Sequence, residues 1–263
     1  MDRINGGGES LRSLSVVRRH NLASATWSQV LLDGVTPESV AGTVAAGRVL
    51  PWTKVLLDAS RGARSVLDLG SGRGELAAAL AREGKQVTLV DWSADNLRFS
   101  RDVFSRLGLS GEFCHADLTQ PLPFPSASYD LVFSCGVLEF FSDEQIAQVI
   151  QESWRISTRR VIILVPNALS AAYRIGKWYM ARTGRWPWDG EVPFRTLKPF
   201  FDPLRSARVT EYSIAPRHAL KFLDMPLGRQ VRMLLMRALQ TSDDTGPAFL
   251  RQGYLLFTQA DHH

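Results

Sequence analysis

The chain is 263 residues long, 45% hydrophobic and 22% charged, a globular composition that excludes intrinsic disorder for its bulk and suits one large unit with appended helices. The formal charge is +5, but it is unevenly spread: residues 1–63 carry 7 basic and 5 acidic side chains, residues 64–154 carry 7 and 13, and residues 155–263 carry 17 and 8. The basic last part is either a set of ordinary solvated arginines or a surface that meets something anionic: a phosphate-bearing small molecule, an acidic carrier protein, a membrane or RNA.

In chain order, residues 1–10 are polar, with Gly6, Gly7 and Gly8 in a row and no hydrophobic signal core. Nothing there directs the chain to secretion, and the cytoplasm is the expected compartment. Residues 1–60 read as helical, with Trp27, Val30, Leu31, Trp52, Val55 and Leu56 as apolar anchors, and are expected to form a separate cap. Strands are then predicted at Ser65–Leu69, Gln86–Val90, Glu112–His115, Tyr129–Ser134, Arg160–Val165, Ala207–Ile214 and Gly253–Thr258. Helical patterns fall between the early ones, at Glu75–Glu83, Ala94–Leu107 and Asp143–Ile156. The third opens with Ser142 three residues before Gln145, a capping-box signature. This alternation predicts an α/β fold, a doubly wound, mostly parallel sheet with helices on both faces. Val161–Val165, the most apolar run, is far short of the ~18–20 residues of a membrane span and reads as a buried strand.

Past Pro166, residues 167–206 hold Tyr173, Trp178, Tyr179, Trp186, Trp188, Phe194, Phe200 and Phe201. An insertion so long and aromatic is expected either to shape a pocket, under Trp27, Trp178 and Trp186, or to pack on the sheet edge. From Ala215 to Leu239 arginines alternate with apolar residues, and Pro226 and Gly228 divide the segment in two. It reads as core-facing helix with snorkelling arginines, or as a basic amphipathic surface for anionic lipid. The terminal His262 and His263 are left aside. Cys114 and Cys135 are too few for a disulfide framework and lack metal-ligand spacing, so no metal is expected.

The sharpest signal is Val66-Leu-Asp-Leu-Gly-Ser-Gly-Arg-Gly74, leaving a strand and opening a helix. A nicotinamide-type loop would place Gly or Ala at position 75, where this chain has Glu75, so a dehydrogenase is disfavoured. The second strand ends in Asp91, placed to accept from both hydroxyls of a ribose, and Trp92 follows with a face for adenine. Asp117, just past the third strand, can accept from an adenine amino group, and Asp68 is placed to meet an ammonium. The loop suits an aminoacyl nucleoside without phosphates.

With these residues, and with Ala116-Asp-Leu118, Pro123-Phe124, Tyr129-Asp-Leu-Val132 and Gly136-Val-Leu-Glu139, the chain resembles the class I S-adenosylmethionine-dependent methyltransferases, in particular their small-molecule and ubiquinone-biosynthesis-like group. The resemblance covers about residues 60–166. It implies a Rossmann-like seven-stranded sheet with an antiparallel last strand and S-adenosyl-L-methionine as cofactor. Asp68, Gly70, Ser71 and Gly72 would hold the methionine moiety, Asp91 the ribose, and Trp92, Asp117 and Leu118 the adenine. Cys135 and Gly136 would line the path to the sulfonium methyl. The family's Gly-Val-Leu-Glu is often followed by His; here it is Phe140.

Methyl transfer is an in-line displacement whose leaving group becomes neutral, so positioning does most of the work. A base matters only when the nucleophile carries a proton of high pKa. Glu139, His20 and His218 are the candidates, whereas His115, inside a strand, reads as structural. Cys135 lacks the preceding proline of thiolate-using cytosine enzymes and reads as a packed thiol. The expected activity is methyl transfer to oxygen or nitrogen of a small-molecule, anionic or lipid- or carrier-linked metabolite, with peripheral membrane contact open. The alternatives are an RNA methyltransferase, supported only by the basic C-terminal part and disfavoured by the lack of an extra RNA-binding module, and a non-catalytic cofactor-binding member of the fold.

Overall fold

The computed structural model describes residues 24–204, 206–225, 228–240 and 252–262. Three helices come first: α1 (Ser24–Leu32), α2 (Pro37–Ala45) and α3 (Pro51–Ala59). The helix α2 is started by Thr36, whose side chain accepts the Ser39 amide while the Ser39 hydroxyl takes the Thr36 amide, and Pro37 adds a preset φ at the first helical position.

The doubly wound part runs β1 (Ser65–Leu69), α4 (Glu75–Arg82), β2 (Gln86–Asp91), α5 (Ala94–Leu107), β3 (Glu112–His115), β4 (Tyr129–Cys135), α6 (Asp143–Ile156) and β5 (Ser157–Pro166). Both α5 and α6 begin where a serine caps them: Ser93 accepts the Asn96 amide, and Ser142 forms the expected reciprocal pair with Gln145. Gly108, at φ +63°, ends α5 in the left-handed conformation. Then come α7 (Ala171–Arg182), α8 (Lys198–Phe201), β6 (Arg208–Ile214), α9 (Pro216–Ala219), α10 (Gly228–Gln240) and β7 (Leu255–Asp261). No helix among the described residues is long and apolar enough to cross a membrane.

The seven strands form one sheet in the order β3-β2-β1-β4-β5-β7-β6, with β7 antiparallel to both neighbours. Two buried layers flank it. One, with Val66, Leu89 and Phe133, also takes Val40, Ala41 and Val44 of α2 and Leu56 of α3, so α2 and α3 share the core of the sheet. The other holds Leu67, Val132 and Ile163 with Ile146 and Ile150 of α6 and Phe194 and Phe201 from the segment after β5. Cys114 and Cys135 lie on β3 and β4, with β2 and β1 between them.

Two strands differ from the sequence expectation by more than one residue. The strand β5 starts at Ser157, three residues early, because the chain leaves α6 without a loop and Ser157 pairs with Tyr129 across a bulge in β4. The strand β7 is displaced toward the C-terminus: it lies between two strands whose backbone groups it must satisfy, and Asp261 at its end accepts from Arg160 Nε at 2.6 Å. His262, set aside in the sequence reading, stacks on Trp154 at 3.5 Å and meets Ser157 Oγ at 2.7 Å. The helical turn Pro216–Phe222 ends before α10 opens at Gly228; Pro226 lies outside the described residues.

Candidate active site

The loop after β1 is held against the end of β2 by a short series of hydrogen bonds. The amides of Gly70 and Ser71 both donate to Val90 O, at 2.8 and 3.0 Å, and the Gly72 amide donates to Asp91 Oδ2 at 2.9 Å. Gly70, Gly72 and Gly74 all have positive φ, which lets the chain turn sharply from strand to helix with its amides inward. At Gly70 a Cβ would meet Val137 Cγ2 at 2.5 Å. Asp91 Oδ1 accepts from the Ser93 amide at 2.9 Å and from Asn96 Nδ2 at 3.2 Å. On the next loop Asp117 Oδ1 takes the Thr119 amide and hydroxyl, while His115 Nε2 meets Trp92 O at 2.8 Å, a structural use.

These loops open on a cavity of about 280 Å³. All ten residues expected at a cofactor line it: Asp68, Gly70, Ser71, Gly72, Asp91, Trp92, Asp117, Leu118, Cys135 and Gly136. Glu139 lines it too. His218 does not: it stacks on Tyr254 at 5.5 Å and meets Trp52 edge-on at 4.8 Å, and burial lowers its pKa to about 4. A histidine kept neutral behind two aromatic rings is removed from the reacting space. His20 lies outside the described residues. Of the tryptophans expected over the pocket, Trp27 is there, but Trp178 is 58% exposed to solvent. Trp186 turns away to Tyr173 and Phe222, donating its Nε1 to Trp188 O at 3.0 Å, so Trp188 takes the place in the wall.

The cavity is acidic inside. Burial, and then the charge of Asp91, pushes the Asp68 carboxyl well above the ordinary range. Asp91 is raised by burial, against the pull of the Ser93 and Gly72 amides and Asn96. Glu139 is raised well above its ordinary value by burial and then by Glu191. The Cys135 thiol is raised by burial, Glu139 and Asp68, which makes it a poor nucleophile. Two residues that sequence reasoning missed, Lys177 and Glu191, complete this end with Tyr173. Glu191, in the turn Trp186-Pro-Trp-Asp-Gly-Glu191, accepts from the Tyr173 hydroxyl and from Lys177 of α7, whose Nζ lies 3.4 Å from Glu191 Oε1. The signal was present: Glu191 and Asp189 are the only acids between Pro166 and Phe201, amid aromatic residues.

The residues present suit an aminoacyl nucleoside. Asp68 and Asp91 are buried acids whose charged forms an ammonium would stabilise, and two buried polar atoms of the wall, Ser71 Oγ and Asn96 Oδ1, have no hydrogen-bond partner among the described residues. Such atoms are costly unless a ligand satisfies them.

Residues 66–159 match a family model described as a methyltransferase domain. An uncharacterized methyltransferase of Mycobacterium tuberculosis is 29% identical over 164 residues, covering 57% of this chain and 81% of the relative. The ribosomal RNA small subunit methyltransferase C of Chromohalobacter salexigens is 33% identical over 116 residues, covering 42% of this chain but only 34% of its own length. Among solved structures, magnesium protoporphyrin IX methyltransferase from Synechocystis with bound SAH has the same fold, with TM-score 0.52 and 17% identity over 91% of this chain and 93% of that one. A SAM-dependent methyltransferase from Aquifex aeolicus gives TM-score 0.52 and 14% identity over 86% and 98%. A methyltransferase-domain match over residues 66–159, across the strands that carry the loop and Asp91 and on the fold these enzymes share, gives the chain a methyltransferase domain of the class I S-adenosylmethionine-dependent kind.

Proposed function

We propose that the Gly70 loop, Asp91, Trp92, Asp117 and Leu118 hold S-adenosylmethionine, and that the other end of the same cavity takes a small-molecule or lipid- or carrier-linked metabolite for methylation on oxygen or nitrogen. The observation that carries this reading is the single cavity lined by all ten of those polar and loop residues together with Trp27, Trp52, Phe140 and Trp188. S-adenosylmethionine supplies a methyl group on positively charged sulfur. Asp68 and Asp91 are buried acids that a cationic ligand would hold in their charged form, Asp91 Oδ2, which accepts only the Gly72 amide, keeps one lone pair for a ribose hydroxyl, and the Trp92 ring offers an apolar face. The aromatic walls exclude water from the far end and favour an apolar acceptor.

A lipid-linked or anionic acceptor has its own support. Ile175 and Trp178 on α7 and Val231, Met233 and Leu234 on α10 are all exposed, and exposed Arg174 and Arg182 lie beside the first pair. Apolar side chains among arginines suit an anionic membrane surface. Incubation with tritium-labelled methyl donor and either metabolite and lipid extracts or bulk RNA tests the reading. Label should enter the small-molecule or lipid fraction; label entering RNA alone would overturn it.

A further inference from the structure

We propose that the acceptor is an amine, docked as its ammonium on the Glu139 carboxylate, which takes its proton before methyl transfer. The inference rests on the cofactor reading above and names the substrate class of that same cavity.

Glu139 sits in a short helical turn, Leu138–Phe140, directly after β4 and Gly136. It is 3% exposed, lines the cavity, and its Oε2 has no hydrogen-bond partner among the described residues. Its backbone carbonyl takes the Val192 amide at 2.9 Å, which fixes the turn against the insertion that carries Glu191. Glu191 is satisfied where it stands, by the Tyr173 hydroxyl and Lys177. Lys177 makes its contact ion pair with Glu191 and reaches Glu139 only as a more distant charge, so Glu139 has no contact ion pair among the described residues inside a wall of Phe140, Trp188 and Tyr254. A buried carboxylate held by its own backbone amide alone, with Oε2 unsatisfied, calls for a cation or a proton.

Proton bookkeeping separates an amine from a hydroxyl. When an ammonium gives its proton to Glu139, two charges vanish together, leaving neutral amine beside neutral acid. When a hydroxyl gives its proton, a new anion forms beside Glu191 and Asp68, where negative charge is already opposed by burial. Burial also raises the Glu139 pKa, which makes it the stronger base. The step then balances: the N–H proton moves to the Glu139 carboxylate, the nitrogen lone pair forms the N–CH3 bond, the S–CH3 bond breaks, and its electron pair stays on sulfur. Lys177 and Tyr173 are positioning residues that hold Glu191 in place.

Calorimetry on the full chain saturated with S-adenosylhomocysteine tests this, using phenethylamine, tryptamine and dodecylamine, each against its matching alcohol. At least one amine should bind ten-fold or more tighter than its alcohol. Glu139→Gln, which keeps the side chain's size, should bind S-adenosylhomocysteine as the wild type does and lose the preference. No amine binding better than its alcohol, or a preference that survives Glu139→Gln, overturns the inference while intact S-adenosylhomocysteine binding leaves the cofactor reading standing. Failure of S-adenosylhomocysteine to bind the wild type overturns both.

Discussion

Asp91 Oδ2 accepts the backbone amide of Gly72 at 2.9 Å, so the last residue of β2 and the middle of the glycine loop are one rigid unit. The loop amides therefore do not depend on a ligand for their direction, and the cradle is organised in advance.

Gly70 and Gly108 separate two effects of a glycine. Both have positive φ, +76° and +63°, but a Cβ at Gly70 meets Val137 Cγ2 at 2.5 Å while at Gly108 it meets nothing within 4 Å. Gly108→Ala should lose about 1–2 kcal/mol from conformation alone. Gly70→Ala should lose a further ~1–3 kcal/mol from overpacking and should also weaken cofactor binding. Urea unfolding of both variants measures the difference, and equal stabilities would remove the Val137 contact from the account.

Lys177 of α7 should matter to stability more than surface lysines do. Its side chain is 19% exposed and Glu191's 3%, and Lys177→Met leaves Glu191 without its cation. Breaking a buried pair from one side is worth roughly 3–5 kcal/mol. Because a stranded Glu191 can escape by protonation, the loss in Tm should be larger at pH 8 than at pH 6. A uniform loss across pH would mean that Lys177 acts by packing alone.

The ligand-free protein should become less stable as pH rises from weakly acidic values. Asp68 and Glu139 hold protons more tightly folded than unfolded, and unfolded carboxyls titrate near ~4. Above that pH the folded state binds more protons than the unfolded one, so their contribution is complete below about 4 and is lost as pH climbs through the raised folded values. Urea midpoints across pH 5 to 8 should fall in the wild type and fall less in Asp68→Asn with Glu139→Gln. Parallel profiles would show that these two groups do not carry the dependence.

Vesicle flotation checks the proposed membrane face. The protein should float with anionic vesicles at low salt, release as salt rises, and bind several-fold less after Trp178→Ser with Leu234→Ser. Wild-type flotation that is absent at low salt would leave the exposed apolar residues of α7 and α10 without this role.

The fold was legible where periodicity and caps agree. Ser142 with Gln145, and Ala94 to Leu107 closed by Gly108, mark helix ends by chemistry that acts within a few residues. The displaced ends of β5 and β7 were not legible, because they depend on Tyr129 and Arg160, partners distant in sequence. The same division runs through the cavity. Asp68, Gly70 and Asp91 belong to one strand–loop–strand pattern, whereas Lys177 and Glu191 meet only through the packing of α7 against the insertion, and Trp188 takes the wall position expected of Trp186 by a turn of the chain. His218 was a reasonable base by residue type, and only the rings of Trp52 and Tyr254 around it show why it stays out of the reacting space.

Calorimetric titration of wild type and Asp91→Ala with S-adenosylmethionine and S-adenosylhomocysteine tests the cofactor site most directly. Loss of hydrogen bonds to a charged acceptor is worth ~1.5–3 kcal/mol, or roughly ten-fold or more in affinity. The account predicts a wild type that binds both ligands and an Asp91→Ala variant weakened by at least that factor with its fold intact; equal affinities in the two proteins would contradict it.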